Sequence, residues 1–360
     1  MPGLADVLKQ RIAERGPLTV AEFMALSLTD PAHGYYMGRD PFGRGGDFIT
    51  APEISQMFGE LIGLTCAEAW QAMGRPESFQ LVELGPGRGT LIADALRAGK
   101  VVDGFNRAAR LSLVEVSPAL RARQEETLAG MVGHPPQWLD AFSKIPQGPL
   151  IVVANEFFDV LPVRQFVMTR DGWREKLVVA GKTGGFAFTL AAKPPTRDEA
   201  PRAPIKAPLG AVFETCPAGV ALAAAVGRRL QRHRGLALIV DYGHDATALG
   251  DTLQAVKGHR YAAPLADPGD ADLTAHVDFQ ALKRAAGAAG AQVFGPIDQG
   301  RWLTALGIRM RADSLKKASP GRAGDIDAAL QRLTGGDAMG RLFKALALAS
   351  PGMPKPAGFA

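Results

Sequence analysis

The stretch at 81–90, LVELGPGRGT, constrains the fold of this chain more than any other. An apolar run, FQLVEL at 79–84, meets glycines at 85, 87 and 89, and a helical pattern follows over 89–98. A strand that turns through glycine into a helix is a building unit of parallel α/β sheets. The turn lets a ligand approach the backbone closely and presents helix N–H groups to it.

Two ligand classes use that device. A dinucleotide requires G-x-G-x-x-G, with its pyrophosphate on the helix dipole. Here Gly85, Gly87 and Gly89 are followed by Thr90, so the dinucleotide spacing fails. S-adenosyl-L-methionine carries no phosphate but does carry an ammonium and a sulfonium. Glu83 at the strand end supplies negative charge for it, and the three glycines leave room for its methionine and ribose. A second acid is then expected at the end of the next strand, because a carboxylate is the natural bidentate acceptor for a ribose diol. Glu115 in ARLSLVEV (109–116) stands there. The alternative reading of Glu115 is a helix N-terminal charge before Ser117.

The rest of the chain reads as α/β with an interruption. Helices are expected over 4–15 and 19–28, the second with a Thr19/Glu22 capping box, and over 53–73, where Met57, Leu61, Leu64 and Trp70 recur at helical spacing. Between them, 30–52 is a long loop rich in Gly, Pro and aromatics, the kind that is usually functional. Strands are expected at 79–84, 109–116, 137–139, 149–156 and 235–243, alternating with helices, which gives a doubly wound, mostly parallel sheet. A hairpin over 163–180 turning at Asp171–Gly172, a further strand at 184–192, and a linker at 193–208 with five prolines in sixteen residues interrupt the pattern. Residues 211–216 return to strand, and 278–348 read as mainly helical, with strands at AQVFG and FKALALA. The expected organisation is an N-terminal helical segment with a lid loop (1–75), a cofactor-binding domain (76–162 and 209–350), and an inserted β subdomain (163–208).

Composition excludes several classes. The 360 residues carry a net charge of +5, with basic residues scattered and no aromatic-interleaved basic stripe, so no nucleic-acid partner is expected. Cys66 and Cys216 stand alone, without metal-ligand or disulfide spacing. No run approaches the ~20 apolar residues of a membrane span. The N-terminus reads as folded structure from about residue 4, without the apolar core of a signal peptide, which fits a bacterial cytoplasm.

Four segments, GYYMGRDPFGRGGDFITAPEISQMFGELIG (34–63), LVELGPGRGTLIADALR (81–97), NEFFDVLPVRQF (155–166) and IVDYG (239–243), together resemble the MidA family. That family includes a mitochondrial complex I assembly factor acting as a protein arginine methyltransferase. The resemblance implies a class I, Rossmann-like methyltransferase fold with an inserted substrate-side subdomain. It also implies symmetric dimethylation of an arginine on a respiratory complex I subunit. The double-Glu hairpin of the familiar arginine methyltransferases is not evident.

A guanidinium is a poor nucleophile while charged, so carboxylates are needed to pair with it, orient it and accept its proton. Glu156 and Asp159, just after a buried strand, are the candidate clamp, with Asn155 bonding substrate or methionine. Against this, Asp159 could cap a turn and Glu156 could be solvated. Asp47, in the segment 45–50 read as a lid, is a candidate for the ammonium or the substrate, while Thr50 reads as the N-cap of the 53–73 helix. His276, in AHVDF with Asp278, is a candidate base or a structural histidine. Asp241 lines the cleft or holds a turn. Trp138 and Asp140 are expected to flank adenine. A methyltransferase for small molecules or another protein nucleophile, and a non-catalytic assembly factor holding the cofactor for stability, remain open, as does a dimeric state.

Overall fold

The computed structural model describes residues 3–38, 47, 49–182, 184–197, 199 and 206–359. Its main sheet runs, edge to edge, Gln292–Asp298, Phe343–Ala349, Gly235–His244, Leu150–Asn155, Phe79–Leu84, Ala109–Val114 and Gln137–Leu139. The last five are mutually parallel. Phe343–Ala349 alone inserts antiparallel between its two neighbours. Each strand that the sequence pattern predicts is present, within a residue or two at its ends except that the strand at AQVFG runs on to Asp298. The strand order reverses between Leu150–Asn155 and Phe79–Leu84, which makes their carboxyl ends the switch point where doubly wound sheets bind ligands.

Alternation within each strand explains the two helical layers. Ile151 and Val153 face one core, with the helices Gln56–Ala72 and Thr90–Gly99 and the C-terminal helices around Trp302 and Leu333. Leu150, Val152 and Ala154 face the other, with Pro217–Arg232 and Phe279–Ala288. A strand buried on both faces needs the unbroken apolar run that 149–154 supplies. Each large aliphatic side chain buried there contributes about 1.5–3 kcal/mol. Gly63 brings the first of these helices against the helix after the glycine turn, since a Cβ there would lie 2.4 Å from the Ala95 carbonyl oxygen.

The helix expected over 53–73 is broken. A short turn, Ala51–Ile54, precedes Gln56–Ala72, and Ser55 rather than Thr50 caps the long helix, accepting from the Met57 N–H. The Thr19/Glu22 capping box forms as read.

A second unit lies over the carboxyl end of the sheet. Leu18–Thr19, Gly172–Ala180, Arg164–Thr169 and Val212–Thr215 pair antiparallel, with Phe186–Leu190 added on Gly172–Ala180. Three short strands, Arg260–Ala262, Gln254–Lys257 and Asp272–Thr274, form a further sheet. One core joins them to the N-terminal helices through Leu8, Phe23, Tyr35, Val178 and Leu273. The expected insert at 163–208 is therefore too narrow. This unit also recruits 18–19 and 212–215, which pair with the hairpin strands, and 254–274, whose strands pair among themselves and join through the shared core.

Candidate active site

The carboxyl ends of Phe79–Leu84 and Leu150–Asn155 open into a cavity of about 500 Å3. Its first wall is made by the glycine turn and the two strands that follow. Gly85 and Gly87 take φ of +63° and +54°, the left-handed region that glycine enters without penalty. Glu83 is 2 % exposed, and burial pushes its carboxyl up to about 8. Its Oε2 has no hydrogen-bond partner. A buried acceptor without a donor is costly, and an arriving ammonium is the donor that removes the cost. Glu115 also lines this wall. Its Oε1 accepts the Ser117 N–H at 2.8 Å and its Oε2 accepts from Gln124 Nε2 at 3.2 Å. The helix-start reading of Glu115 is met by the Ser117 bond, and its carboxylate keeps further lone pairs. These residues fit the adenosylmethionine expected from the sequence.

Gln124 carries a role that sequence reading missed. Fully buried, it donates to the Gly87 carbonyl at 2.7 Å as well as to Glu115, and accepts from Trp138 Nε1 at 2.9 Å. One amide thereby locks the glycine turn to the second acid. Trp138 is spent on this bond and does not line the cavity, contrary to its expected place beside adenine. Asp140 does line it, half-exposed and paired with Lys144 at 2.7 Å. Gly89 serves as the N-cap of Thr90–Gly99 at φ +80° and is not part of the lining.

The second wall is acidic. Directly after the strand Leu150–Asn155, Glu156 adopts φ +50°, a conformation uncommon for a residue with a side chain and associated with functional sites. The Ala51 N–H donates to its Oε1 at 2.8 Å and Asn155 Nδ2 at 3.1 Å. Burial first, then the Asp159 charge, raise its carboxyl to about 7 against those bonds. Burial likewise raises Asp159 to about 6, opposed by a Tyr242 hydroxyl bond. Asp159 Oδ1 and Asn155 Oδ1 are buried without partners. All three side chains face the cavity, so the structure brings the expected group together.

Asp241 settles on its turn role. Wholly buried, its Oδ2 accepts from the N–H groups of Phe157, Phe158 and Asp159 at 2.9–3.2 Å, and its Oδ1 from Tyr242 N–H at 2.9 Å. It builds the turn that presents Glu156 and Asp159, and it does not line the cavity. His276 does, edge-on to the Tyr242 ring at 5.5 Å, and burial with the His244 charge lowers its pKa. Asp278 instead caps Phe279–Ala288.

Asp47 lies away from the cavity. Its Oδ2 accepts the Tyr35 hydroxyl at 2.6 Å and its Oδ1 the Gly258 N–H at 2.7 Å, so it ties the loop to the three-stranded sheet. Of the rest of the expected lid, 45–50, residues 45, 46 and 48 fall outside the described residues. Tyr36, Tyr242 and Asp272 complete the acidic wall and were not anticipated. Tyr36 sits in the quoted GYYMG, so its segment at least was marked. Asp272 had no local signal, being one acid on a three-residue strand.

Comparison with known proteins agrees with this geometry. A family model described as S-adenosyl-L-methionine-dependent methyltransferase matches residues 61–297. The protein arginine methyltransferase NDUFAF7, mitochondrial, of Danio rerio is 40% identical over 339 residues, covering 86% of this chain and 77% of its own. The Xenopus tropicalis protein of the same name is 36% identical over 394 residues, covering 97% and 87%. A Burkholderia thailandensis crystal structure bound to S-adenosyl-homocysteine superposes with a TM-score of 0.87 at 31% identity, covering 99% of this chain and 93% of that one. The doubly wound sheet, the glycine turn with its two acids, and these likenesses over most of the chain have one common reading: this protein belongs to the MidA family of S-adenosyl-L-methionine-dependent methyltransferases.

Proposed function

We propose that this protein is a protein arginine N-methyltransferase that symmetrically dimethylates a respiratory complex I subunit in a bacterial cytoplasm. The observation that carries the reading is the acidic wall beside the cofactor wall, with Asp159 Oδ1 buried there and unpaired. Such a wall favours a cationic acceptor, and the relatives' name supplies the guanidinium.

When bound, S-adenosylmethionine supplies an electrophilic methyl group. Glu83 meets its ammonium and Glu115 its ribose hydroxyls. Asn155 offers its free Oδ1 at the seam of the two walls. Glu156 and Asp159 pair with the guanidinium and fix the nitrogen that attacks. His276, kept neutral by burial, is a proton acceptor at the cavity edge.

Mass spectrometry of complex I subunits from cells with and without the gene tests this. The expected result is one arginine carrying two methyl groups only when the protein is present. Unmodified arginines throughout, with S-adenosylhomocysteine binding intact by calorimetry, would move the acceptor to a small molecule or another protein group. Complex I assembly that survives Glu156→Gln with Asp159→Asn would instead mark a non-catalytic assembly factor.

A further inference from the structure

Asp272 belongs to the three-stranded sheet, not to the main one, yet it reaches the same cavity as Asp159. It is 5 % exposed. Its Oδ1 accepts the Tyr36 hydroxyl at 2.7 Å, and the Tyr36 ring packs edge-on against Tyr35, centroids 5.0 Å apart. Directly after Thr274, the backbone is tied across: the Ala275 N–H donates to the Asp159 carbonyl at 2.9 Å, binding one sheet's end to the other's turn. Gln254 steadies the same face by donating to Thr274 Oγ1 at 3.1 Å.

The charges here are not internally balanced. Burial raises the Asp272 carboxyl to about 8, and the Asp159, Asp47 and Glu156 charges add to it, while the Tyr36 bond opposes. Among the described lining residues, the side chains able to carry positive charge are Arg88 and His276. Arg88 lies toward Glu53 at 3.6 Å on the cofactor side, and burial disfavours the charged form of His276. In the same cavity lining, Asp159 Oδ1 is buried with no partner, and the Asp159 charge acts on Asp272. Two carboxyl groups, one from the turn after Leu150–Asn155 and one from the three-stranded sheet, thus line one cavity that holds an acceptor atom without a donor.

We propose that Asp272, held in place by Tyr36, is the second jaw of the acceptor clamp, opposing Asp159, and that this pair selects a guanidinium over an ammonium. The proposal rests on the arginine reading above. A planar guanidinium presents donors along two edges and can bridge two carboxylates, whereas an ammonium is a compact point charge. Asp272 touches substrate in this arrangement, and Tyr36 is a positioning residue acting through it.

The test is a titration of the protein, saturated with S-adenosylhomocysteine, with N-acetylarginine amide and N-acetyllysine amide as probes. Wild type is expected to prefer the arginine probe. Asp272→Asn should weaken it about thirtyfold and abolish the preference, with S-adenosylhomocysteine affinity unchanged within twofold. Because Asn relieves repulsion in a crowded acidic wall, the same variant should melt higher than wild type without ligand, which a purely structural Asp272 would not do. Tyr36→Phe should weaken the arginine probe a few-fold and shift the pH dependence of its binding, and it serves should Asp272→Asn not fold. An undiminished arginine preference in Asp272→Asn, or in Tyr36→Phe where that alone folds, overturns the second jaw; if Asp159→Asn still weakens the probe, the arginine reading stands without it. Wild type that holds S-adenosylhomocysteine but binds neither probe overturns both.

Discussion

The two walls of the cavity are built in opposite ways. The cofactor wall draws Glu83, Gly85, Gly87, Glu115 and Asp140 from three consecutive strand ends, within some sixty residues of chain. The acceptor wall gathers Tyr36, Glu156, Asp159, Tyr242, Asp272 and His276 from four separate segments and from more than one sheet. Local backbone geometry makes the first, and long-range packing makes the second. On the function proposed above, the methyl donor's seat would be a property of a strand and its turn, and the acceptor's seat a property of the whole fold. Damage to one wall should leave the other working.

Asp241→Ala should break the contrast most severely on the acceptor side. Four N–H groups lose their acceptor, three of them in the turn that presents Glu156 and Asp159. At about 1–3 kcal/mol per buried unsatisfied group, partly offset by relief of carboxylate repulsion, the loss is about 3–5 kcal/mol. In a chain of this size that lowers the melting temperature by roughly 5 °C. S-adenosylhomocysteine affinity of the folded protein should change by no more than a few-fold. A melting curve that does not move would mean the turn is held by something other than Asp241.

Gly85→Val is the complementary lesion. It places a branched side chain at φ +63°, where a Cβ lies 2.7 Å from the Phe157 ring. Left-handed strain of about 1–2 kcal/mol adds to that clash, so S-adenosylhomocysteine should bind about a hundredfold more weakly in calorimetry. Affinity within threefold of wild type would show that the turn does not approach the ligand.

Glu83 sharpens the comparison through pH. Its carboxyl lies near 8 when the protein is free, above the ordinary 4.5. With its pKa raised, this group's stability contribution is complete below pH 4.5 and lost as pH rises through about 8, so the free protein should soften over that window. A ligand ammonium favours the ionised carboxylate. Affinity for S-adenosylhomocysteine should therefore climb from pH 6 to 8, by up to about tenfold per unit. Glu83→Gln should flatten that slope and bind about tenfold more weakly at pH 8. A slope that persists in the variant would assign the titration elsewhere.

The same contrast explains what could be read in advance. Strand positions followed from apolar runs such as 149–154, and the cofactor acids followed from their distance past those runs, because a parallel strand fixes where its next residues point. Glu156 and Asp159 were legible for the same reason, standing just past a strand of the main sheet. Asp272 was not: its meaning depends on a three-stranded sheet whose pairing has no local signature. Trp138 and Asp47 were misplaced because an aromatic or an acid near a strand end has several possible partners, and Gln124 and Gly258 claimed them. Gln124 itself looked like any helical glutamine until its three partners were in place.

Asp140 offers the smallest effect and the finest test of how far the cofactor wall extends. It stands at the end of the third strand as Glu83 and Glu115 stand at the ends of the first two, so spacing alone would give it equal weight. Its surroundings differ. Glu83 and Glu115 are buried, with little water to compete for a ligand's donors, whereas Asp140 is half-exposed and already paired with Lys144. Exposed ion pairs and hydrogen bonds are worth less than about 1 kcal/mol because water screens them. Asp140→Asn should therefore weaken S-adenosylhomocysteine less than threefold and leave the pH slope set by Glu83 untouched. A tenfold loss would mean that ligand binding closes over this corner and excludes water from it, and the third strand end would then rank with the other two.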